Sequence, residues 1–526
     1  TVFSIEVKFL RLTVLIVGTS LSGQNYLGKV DPILYEKGND WLPIFVRMED
    51  QLVLKAGDYE RISEFRSPKP RSQNREEVLS LLRKKAQDSF AKLRDKIDEM
   101  NGKGQLRGLR KFWIVNGFAC RARLPTIESL AREKEISYVY FDRFAFDSDS
   151  SLPMSERKVN RLGKVLRLWN EPAPLPDKRE DIPWNVSEIG ADRAWKDENA
   201  TGLGVTVAVI DSGILPTPSL VRALAKNPAE ELNGKDDDGN GLIDDLFGYD
   251  FRSNTGYVLD DSKTTSHGSS CSGIIAGRVS SSGWQTGIAP ECRLLLLKGG
   301  FDLRCLEYLL LQGAEVVSMS YMAVGRDLGQ TRGLFRNAFE HLSLGGVLAV
   351  GGAGNYGPQS RRALPKGKQI GLPKDIPCVL AVSGVDRGRK LLPFSSEGPC
   401  FWEGVRFFSD HPQADPLSKP DLCAFPTGYP VWNVTGSHRI RSGWEEISRA
   451  PEASLVMGPA GNSFSGPHAA GVAALVLSAN PTINPWEVGQ IISETARDLG
   501  PPGRDEKFGA GLIDAWAAVR AARERN

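Results

Sequence analysis

Residues 205–213 read VTVAVIDSG, and this short stretch decides the fold class. Apolar and β-branched residues run without a break up to Ile210, and an Asp-Ser-Gly turn follows at once. A strand this uniformly apolar is buried on both faces, as in a parallel sheet covered by helices. Asp211 is therefore expected at the carboxyl end of a central strand, the edge of an α/β sheet where sites gather.

Similar apolar runs recur along the chain and alternate with helical patterns. They lie at residues 294–297, 316–319, 346–350 and 379–382. This alternation predicts an α/β fold with a parallel sheet flanked by helices. Because 526 residues exceed what one hydrophobic core usually serves, we expect a large domain and at least one smaller one.

The composition excludes several classes of partner and site. Lys and Arg total 66 against 64 Asp and Glu, a net charge of +2, so nothing points to nucleic acid or an anionic membrane. Seven Cys are scattered without a CxxC pair, which argues against structural zinc, and their odd number leaves at least one thiol free. Beyond the N-terminal region no stretch is apolar and long enough for a membrane anchor.

The N-terminal residues follow the order of basic, apolar and small residues that is expected of an exported protein. Lys8 and Arg11 precede an apolar run at 12–17, which gives way to small and polar residues. This order is typical of a secretory signal peptide, assigned to residues 7–24, and predicts a secreted or extracytoplasmic protein. A short buried strand or helix is the alternative.

Residues 41–145 form a second α/β pattern. Apolar residues recur every three or four positions from Asn74 onward and predict a long helix, with Glu77 placed for a capping box. Strands are expected at 112–118 and 136–141, with a short helical stretch between them. Residues 146–183 show no sustained periodicity and are predicted to be a solvated linker.

Three further positions carry side chains suited to catalysis. His267 lies in SHGSSCSGIIAG (266–277), where small residues allow close packing around the imidazole. Ser463, in GNSFSGPH (461–468), precedes a small-residue helix, so its Oγ is exposed and its N–H is unpaired. Asn355 follows an apolar strand and is placed to donate to an oxyanion. Taken alone, each of these residues and Asp211 also has an ordinary structural explanation. Asp211 and Asn355 could belong to turns, His267 could be solvated, and Ser463 could be a helix N-cap.

Together, the order Asp, His, Ser with these flanks resembles the subtilisin-like serine proteases (subtilases). Residues 184–520 are similar to their peptidase domain, and residues 41–145 to their small α/β (ferredoxin-like) propeptide domain. The resemblance implies a secreted serine endopeptidase made as a zymogen. In it Asp211 orients His267, His267 takes the proton of Ser463, and Asn355 with the Ser463 N–H holds the oxyanion.

The resemblance also implies a set of partners and a substrate-binding surface. Proteins or peptides are the expected substrates, the propeptide is the expected intramolecular inhibitor, and a monomer is expected. The implied substrate-binding residues are Ser318, Ser320, Tyr321, Met322, Gly352, Ala353 and Gly354. Tyr321 and Met322 stand where the family has Leu and Gly, so a bulky side chain lies beside the primary specificity pocket. The rival interpretation is a catalytically inactive member that serves as a binding or scaffolding module.

No cofactor is expected for catalysis, but one loop suggests structural calcium. Residues 236–245 read DDDGNGLIDD and place oxygen ligands at Asp236, Asp238, Asn240 and Asp244, with the spacing of an EF-hand-like loop. The alternative is a metal-free turn, because Phe247 stands where a bidentate Glu would be. Separately, Cys271 lies four residues after His267, which suggests sensitivity to metals that bind thiols.

Overall fold

A computed structural model describes residues 26–145, 151–171, 181–262, 265–279, 284–433, 454–457 and 460–525. The predicted signal peptide at 7–24 lies outside these residues. Residues 26–145 are called the N-terminal unit below, and residues 181–525 the C-terminal unit. Within the described ranges, no helix has the length and apolar character needed to cross a membrane.

The N-terminal unit is a four-stranded antiparallel sheet covered by helices. Its strands follow the order β2-β3-β1-β4, which is the ferredoxin-like order. Side chains of the longest helix, among them Phe90 and Ile97, pack with Ile44 and Val139 of the sheet. After a 3₁₀ turn at Leu27–Lys29, the elements are α1 (Ile33–Glu36), β1 (Leu42–Met48), α2 (Asp58–Arg66), α3 (Arg71–Gly102), β2 (Leu106–Phe112), β3 (Gly117–Ala122), α4 (Leu124–Ala131) and β4 (Ile136–Phe141).

Two local predictions in this unit were wrong. Residues 113–116 form the turn between β2 and β3 instead of a strand, because Ile114 and Val115 bury their side chains against the C-terminal unit. Helix α3 begins at Arg71, so Asn74 lies inside the helix and does not cap it. Glu77 instead binds the side chain of Arg66.

The segment predicted to be a solvated linker is partly helical. Helix α5 (Glu156–Asn170) buries Leu162 and Val165 in the core of the C-terminal unit. Its Trp169 Nε1 donates a hydrogen bond to the Leu224 carbonyl oxygen at 3.0 Å. Apolar residues such as Val159, Leu162, Leu166 and Trp169 recur in it every three or four positions, so the prediction of a connector without periodicity was wrong for this stretch.

The C-terminal unit has the parallel seven-stranded sheet that the apolar runs predicted, in the order β11-β10-β9-β8-β5-β7-β6. Its edge strands β6 and β11 were missed because each has only three residues. The elements are α6 (Trp184–Glu188), α7 (Ala191–Glu198), β5 (Thr206–Ile210), α8 (Pro218–Val221), β6 (Gly248–Asp250), α9 (His267–Ala276), β7 (Arg293–Lys298), α10 (Leu303–Leu311), β8 (Val316–Met319), α11 (Thr331–Leu344), β9 (Leu348–Gly352), β10 (Val379–Gly384), β11 (Leu422–Ala424), β12 (Pro430–Asn433), β13 (Ser454–Met457), α12 (Ser465–Ala479), α13 (Pro485–Glu494) and α14 (Ala515–Glu524).

Alternate strand residues pack against helices on opposite faces of this sheet. Val207 and Val209 share a core with α9 and α12, whereas Ala208 and Ile210 share one with α10 and α11. The N-terminal unit packs on the second of these faces, through Ile114 among others. The sheet is thus covered on both faces. The edge formed by the carboxyl ends of its strands remains accessible for a site.

Two titratable side chains of the C-terminal unit hold the backbone of the N-terminal unit. Glu307 Oε1 accepts hydrogen bonds from the N–H groups of Trp113 and Ile114 at 2.6 and 2.9 Å. His341 Nε2 accepts from the Val53 N–H, and its Nδ1 donates to the Ile114 carbonyl oxygen. Burial raises the pKa of Glu307 to about 7 against the opposing effect of those N–H groups. Burial lowers the pKa of His341 to about 4.

Glu307 should make the stability of the two packed units depend on pH. Because its pKa is raised from 4.5 to about 7, the folded chain binds more protons than the unfolded chain between these values, so this contribution to stability falls as pH rises. The comparison uses two chains that both carry Ser463→Ala, one with Glu307 and one with Glu307→Gln. In urea titrations, we expect the free energy of unfolding of the chain with Glu307, relative to that of Glu307→Gln, to decrease from pH 5 to pH 8.

His341 is common to both chains, so its own titration cancels in this comparison. Exposed Glu403 supplies the control, and Glu403→Gln should show a constant difference from the parent over the same range. A constant difference for Glu307→Gln as well would contradict the account.

Candidate active site

Asp211 and His267 form a hydrogen-bonded pair at the carboxyl edge of the sheet. Asp211 directly follows β5, and His267 is the first residue of α9. The Nδ1 of His267 lies 2.8 and 2.9 Å from the two carboxylate oxygens of Asp211. Since a carboxylate only accepts hydrogen bonds, the proton is assigned to Nδ1, which leaves Nε2 as the basic nitrogen.

Two glycines allow close packing here: Gly268 between α9 and the turn after β5, and Gly213 between that turn and the loop at Val258. Gly213 has φ +92°, and a Cβ on it would lie 2.2 Å from the Val258 carbonyl oxygen. A Cβ on Gly268 would lie 2.2 Å from the Gly213 carbonyl oxygen. The small residues around His267 therefore serve the predicted purpose of close packing.

The pair also sets its own protonation state. Burial alone would raise the pKa of Asp211, but the charge and hydrogen bond of His267 hold that pKa below its ordinary value. Burial lowers the pKa of His267, but the neighbouring Cys271 and Asp211 outweigh burial and raise it above 6.5. Asp211 is thus ionised at neutral pH, and its negative charge stabilises the positive charge that the imidazole gains when Nε2 takes up a proton.

Ser463 lies beside this pair, two residues before α12 begins at Ser465. Its carbonyl oxygen accepts a hydrogen bond from Ser320 Oγ at 2.9 Å, and the ring of the next residue, Phe464, lies 5.3 Å from the His267 ring. Within the described ranges, the hydrogen bonds of His267 go to Asp211 and Cys271, with none to Ser463 Oγ. Such catalytic hydrogen bonds often tighten only when substrate is bound.

Asn355 is oriented by a contact that the sequence did not reveal. Its Oδ1 accepts the N–H of Asn462 at 2.7 Å, which fixes the carboxamide and leaves Nδ2 as the donor. Asn462 Nδ2 in turn donates to the Gly354 carbonyl oxygen and to Ser395 Oγ. Asn462 therefore completes the turn before Ser463 and orients Asn355, and its own amide is not available to an oxyanion.

The predicted substrate-binding residues are divided between the cleft and the core. Ser320 and Tyr321 line a cleft together with Asp211 and His267. Ser318, by contrast, is buried within β8 and does not reach it. Gly352 packs on the Asn462 turn, since a Cβ there would lie 1.9 Å from the Asn462 carbonyl oxygen, and Ala353 is buried below it, while Gly354 contacts Met322.

The acidic loop brings two of the predicted ligands together with one residue from outside the loop. Asp236 and Asp238 come together with Glu230, and one oxygen of each lies within 4.8 Å of the others. Glu230 precedes the quoted loop by six residues, so no spacing rule revealed it. Asp244 does not join this cluster, because its Oδ1 closes the loop by accepting the N–H groups of Asn233 and Gly234. Asn240 likewise accepts the Leu242 N–H and donates to Asp245.

The two carboxylate oxygens of Glu230 are bonded differently. Oε1 accepts the N–H groups of Asp237 and Asp238, whereas Oε2 is buried and has no hydrogen-bond partner among the described residues. Burial raises the pKa of this carboxyl. A hard divalent cation that prefers carboxylate oxygen fits such a donor set.

An Asp–His pair beside a Ser at a helix start, on the carboxyl edge of a parallel sheet, is the arrangement of a serine hydrolase. The model of the subtilase family (Peptidase_S8) matches residues 202–511, more than half of the chain, so the chain belongs to this family of serine proteases.

Curated relatives agree with this assignment at low identity. Bacillopeptidase F of Bacillus subtilis is 24% identical over 470 residues, which cover 85% of this chain and 29% of that protein. Minor extracellular protease Epr of the same organism is 28% identical over 338 residues, 63% of this chain and 40% of that protein. The chain thus spans well under half the length of either relative. A crystal structure of MycP1 with the N-terminal propeptide removed is 26% identical, covers 64% of this chain and 97% of its own, and has a TM-score of 0.45.

The position of Cys271 predicts that the site is sensitive to metals that bind thiols. Its Sγ lies 3.7 Å from His267 Nδ1 and 3.5 Å from the Ser463 carbonyl oxygen, and with Asp211 it forms a group able to hold a metal ion. We expect an organomercurial to abolish peptide cleavage by the wild type and not by Cys271→Ala. Partly exposed Cys378 is the control, and Cys378→Ala should stay sensitive. Equal inhibition of the wild type and Cys271→Ala would refute this prediction.

Proposed function

We propose that the chain is a secreted serine endopeptidase, made as a zymogen, that hydrolyses peptide bonds in proteins. The observation that carries this proposal is the bond from His267 Nδ1 to both oxygens of Asp211 beside Ser463. Family membership and the names of the relatives, which are proteases, agree with it. The extracellular relative Epr favours export.

In the proposed reaction, His267 Nε2 accepts the proton of Ser463 Oγ as this oxygen bonds to the scissile carbonyl carbon. Asn355 Nδ2 and the Ser463 N–H stabilise the negative charge on the carbonyl oxygen. His267 then gives its proton to the leaving amine, and the C–N bond breaks. Water that transfers a proton to His267 attacks the acyl-enzyme, and Ser463 Oγ leaves with that proton.

The N-terminal unit is proposed to act as an inhibitory propeptide. Its packing against α10 and α11 supports this role. Its residues 141–145 also line a cavity together with Met322 and Tyr356, which neighbour Tyr321 and Asn355 in the chain. The proposed unit starts before the predicted residue 41, because Val30 and Leu34 belong to its core. Helix α5 similarly belongs with the peptidase domain rather than with the linker at 146–183.

Fluorophosphonate labelling followed by a peptide-library digest tests the function. We expect the reagent to label the wild type at Ser463 and to leave Ser463→Ala unlabelled. Wild-type protein that has not been treated with the reagent should cleave peptides. Asn355→Ala should lower kcat by about 10²–10³-fold, because one oxyanion donor is lost.

N-terminal sequencing of both the wild type and Ser463→Ala should show removal of the N-terminal unit in the wild type alone.

Two outcomes would overturn the proposal. Labelling without peptide cleavage would indicate an esterase. Absence of labelling in protein that has lost its N-terminal unit would indicate an inactive scaffold.

We also propose structural calcium at Glu230, Asp236 and Asp238. The buried, unpartnered Oε2 of Glu230 supports it, because a cation would offset the cost of burying that charge. We expect calcium to raise the melting temperature of the Ser463→Ala chain and EDTA to reverse the increase. Glu230→Gln should lose this response, whereas Glu231→Gln, at the exposed neighbour, should keep it. A melting temperature that calcium leaves unmoved would refute the site.

A further inference from the structure

The space beside Asn355 has to receive one particular side chain of a substrate. In the proposed reaction, the attacked carbonyl places its oxygen at Asn355 Nδ2 and the Ser463 N–H. The side chain of the same substrate residue branches from the atom bonded to the attacked carbon, so it lies next to these donors. Gly354 directly precedes Asn355 and carries no side chain of its own. The space that Gly354 and Gly371 border is called the specificity recess below.

Met322 spans the specificity recess from one wall to the other. Its Sδ accepts the Gly371 N–H at 3.2 Å, and its Cε lies 2.5 Å from where a Cβ on Gly354 would stand. Carbon atoms of separate groups pack at about 3.5–4.0 Å. The contact between Met322 and Gly354 therefore leaves no width for another carbon atom between them.

Lys374 occupies the neighbouring space between Tyr321 and Gly351. Its Cε lies 2.4 Å from where a Cβ on Gly351 would stand, and its Nζ donates a hydrogen bond to the Tyr321 carbonyl oxygen. The residue is only 1% exposed, so its amine is bonded within the chain and is not presented to a substrate carboxylate. Two long side chains thus fill the region between the residues after β8 and the end of β9.

The segment that carries Met322 is held on both sides. The Ala323 N–H donates to the Leu372 carbonyl oxygen at 2.9 Å, and Ser320 Oγ donates to the Ser463 carbonyl oxygen at the same distance. A shift of this backbone would break both bonds. The recess can therefore open only by rotation of the Met322 side chain, which would lose its contacts with the two glycines.

From these contacts we infer that Met322 closes the specificity recess and restricts cleavage to peptide bonds that follow a small residue, namely Gly, Ala or Ser. The inference rests on the proposed function, because it names the substrate class of that site. Gly, Ala and Ser place at most two side-chain atoms beside Asn355. Leu or Phe would have to displace the thioether from both walls.

A digest of a peptide library by the processed wild type gives the first readout. Gly, Ala and Ser should precede the cut bond at least 10-fold more often than Leu and Phe, because small differences in size in a filled pocket change kcat/KM by about 10–200-fold. Equal use of large and small residues would overturn the inference. A preference for Asp or Glu would also overturn it, because the Lys374 amine would then be available to substrate.

Substitution of Met322 gives the second readout. The quantity compared is the ratio of kcat/KM for two peptides that differ only in having Leu or Ala before the cut bond. Met322→Ala should raise this Leu-to-Ala ratio at least 10-fold because the recess opens, whereas a mere loss of stability would lower both values together. Met322→Leu keeps a side chain of similar volume and should leave the ratio low. An unchanged ratio in Met322→Ala would overturn the inference.

Leu203 supplies the matched control, since it is an exposed apolar side chain just before β5, at the opposite end of that strand from Asp211. Leu203→Ala should keep the wild-type ratio, and circular dichroism checks that each variant is folded. Protein that is labelled at Ser463 and cleaves peptides without this selectivity would overturn the inference alone. Absence of both labelling and cleavage would overturn the proposed function, and the inference with it.

Discussion

The buried pairing of Asp211 with His267 is the interaction on which the surrounding structure depends. A carboxylate whose side chain is only 8% exposed needs a partner that donates hydrogen bonds and carries positive charge. The imidazole supplies both only if α9 starts directly beside the end of β5. Gly268 is required for that approach, since a Cβ there would lie 2.2 Å from the Gly213 carbonyl oxygen.

The same requirement of close approach extends to Ser463, the proposed nucleophile. Gly352, at the end of β9, allows the Asn462 turn to lie against the sheet, and the N–H of Asn462 fixes the carboxamide of Asn355. Ser320 Oγ then ties the Ser463 carbonyl oxygen to the residue after β8. Contacts at the ends of three strands thus hold His267, Ser463 and Asn355, the proposed base, nucleophile and oxyanion donor, in place, which is the preorganisation that electrostatic catalysis needs.

The sequence predicted these features to different degrees, for physical reasons. The buried strands were predictable because burial on both faces requires continuous apolar runs, and the edge strands were not because three residues are too few to show a pattern. Ile114 and Val115 resembled a strand because burial at an interface selects the same apolar residues as burial in a sheet. Glu230 was missed, since its nearness to Asp236 arises from a chain reversal that no linear spacing records.

A double-mutant cycle tests the central claim most directly, namely that Asp211, His267 and Ser463 act as one unit. The activities to compare are kcat/KM values of the wild type, His267→Ala, Ser463→Ala and the double variant on one peptide substrate. The account predicts that each single variant loses roughly 10⁴–10⁶-fold and that the double variant is no slower than the slower single one, because one mechanism is lost once. Independent, multiplying losses, or a His267→Ala variant within about 10-fold of the wild type, would contradict it.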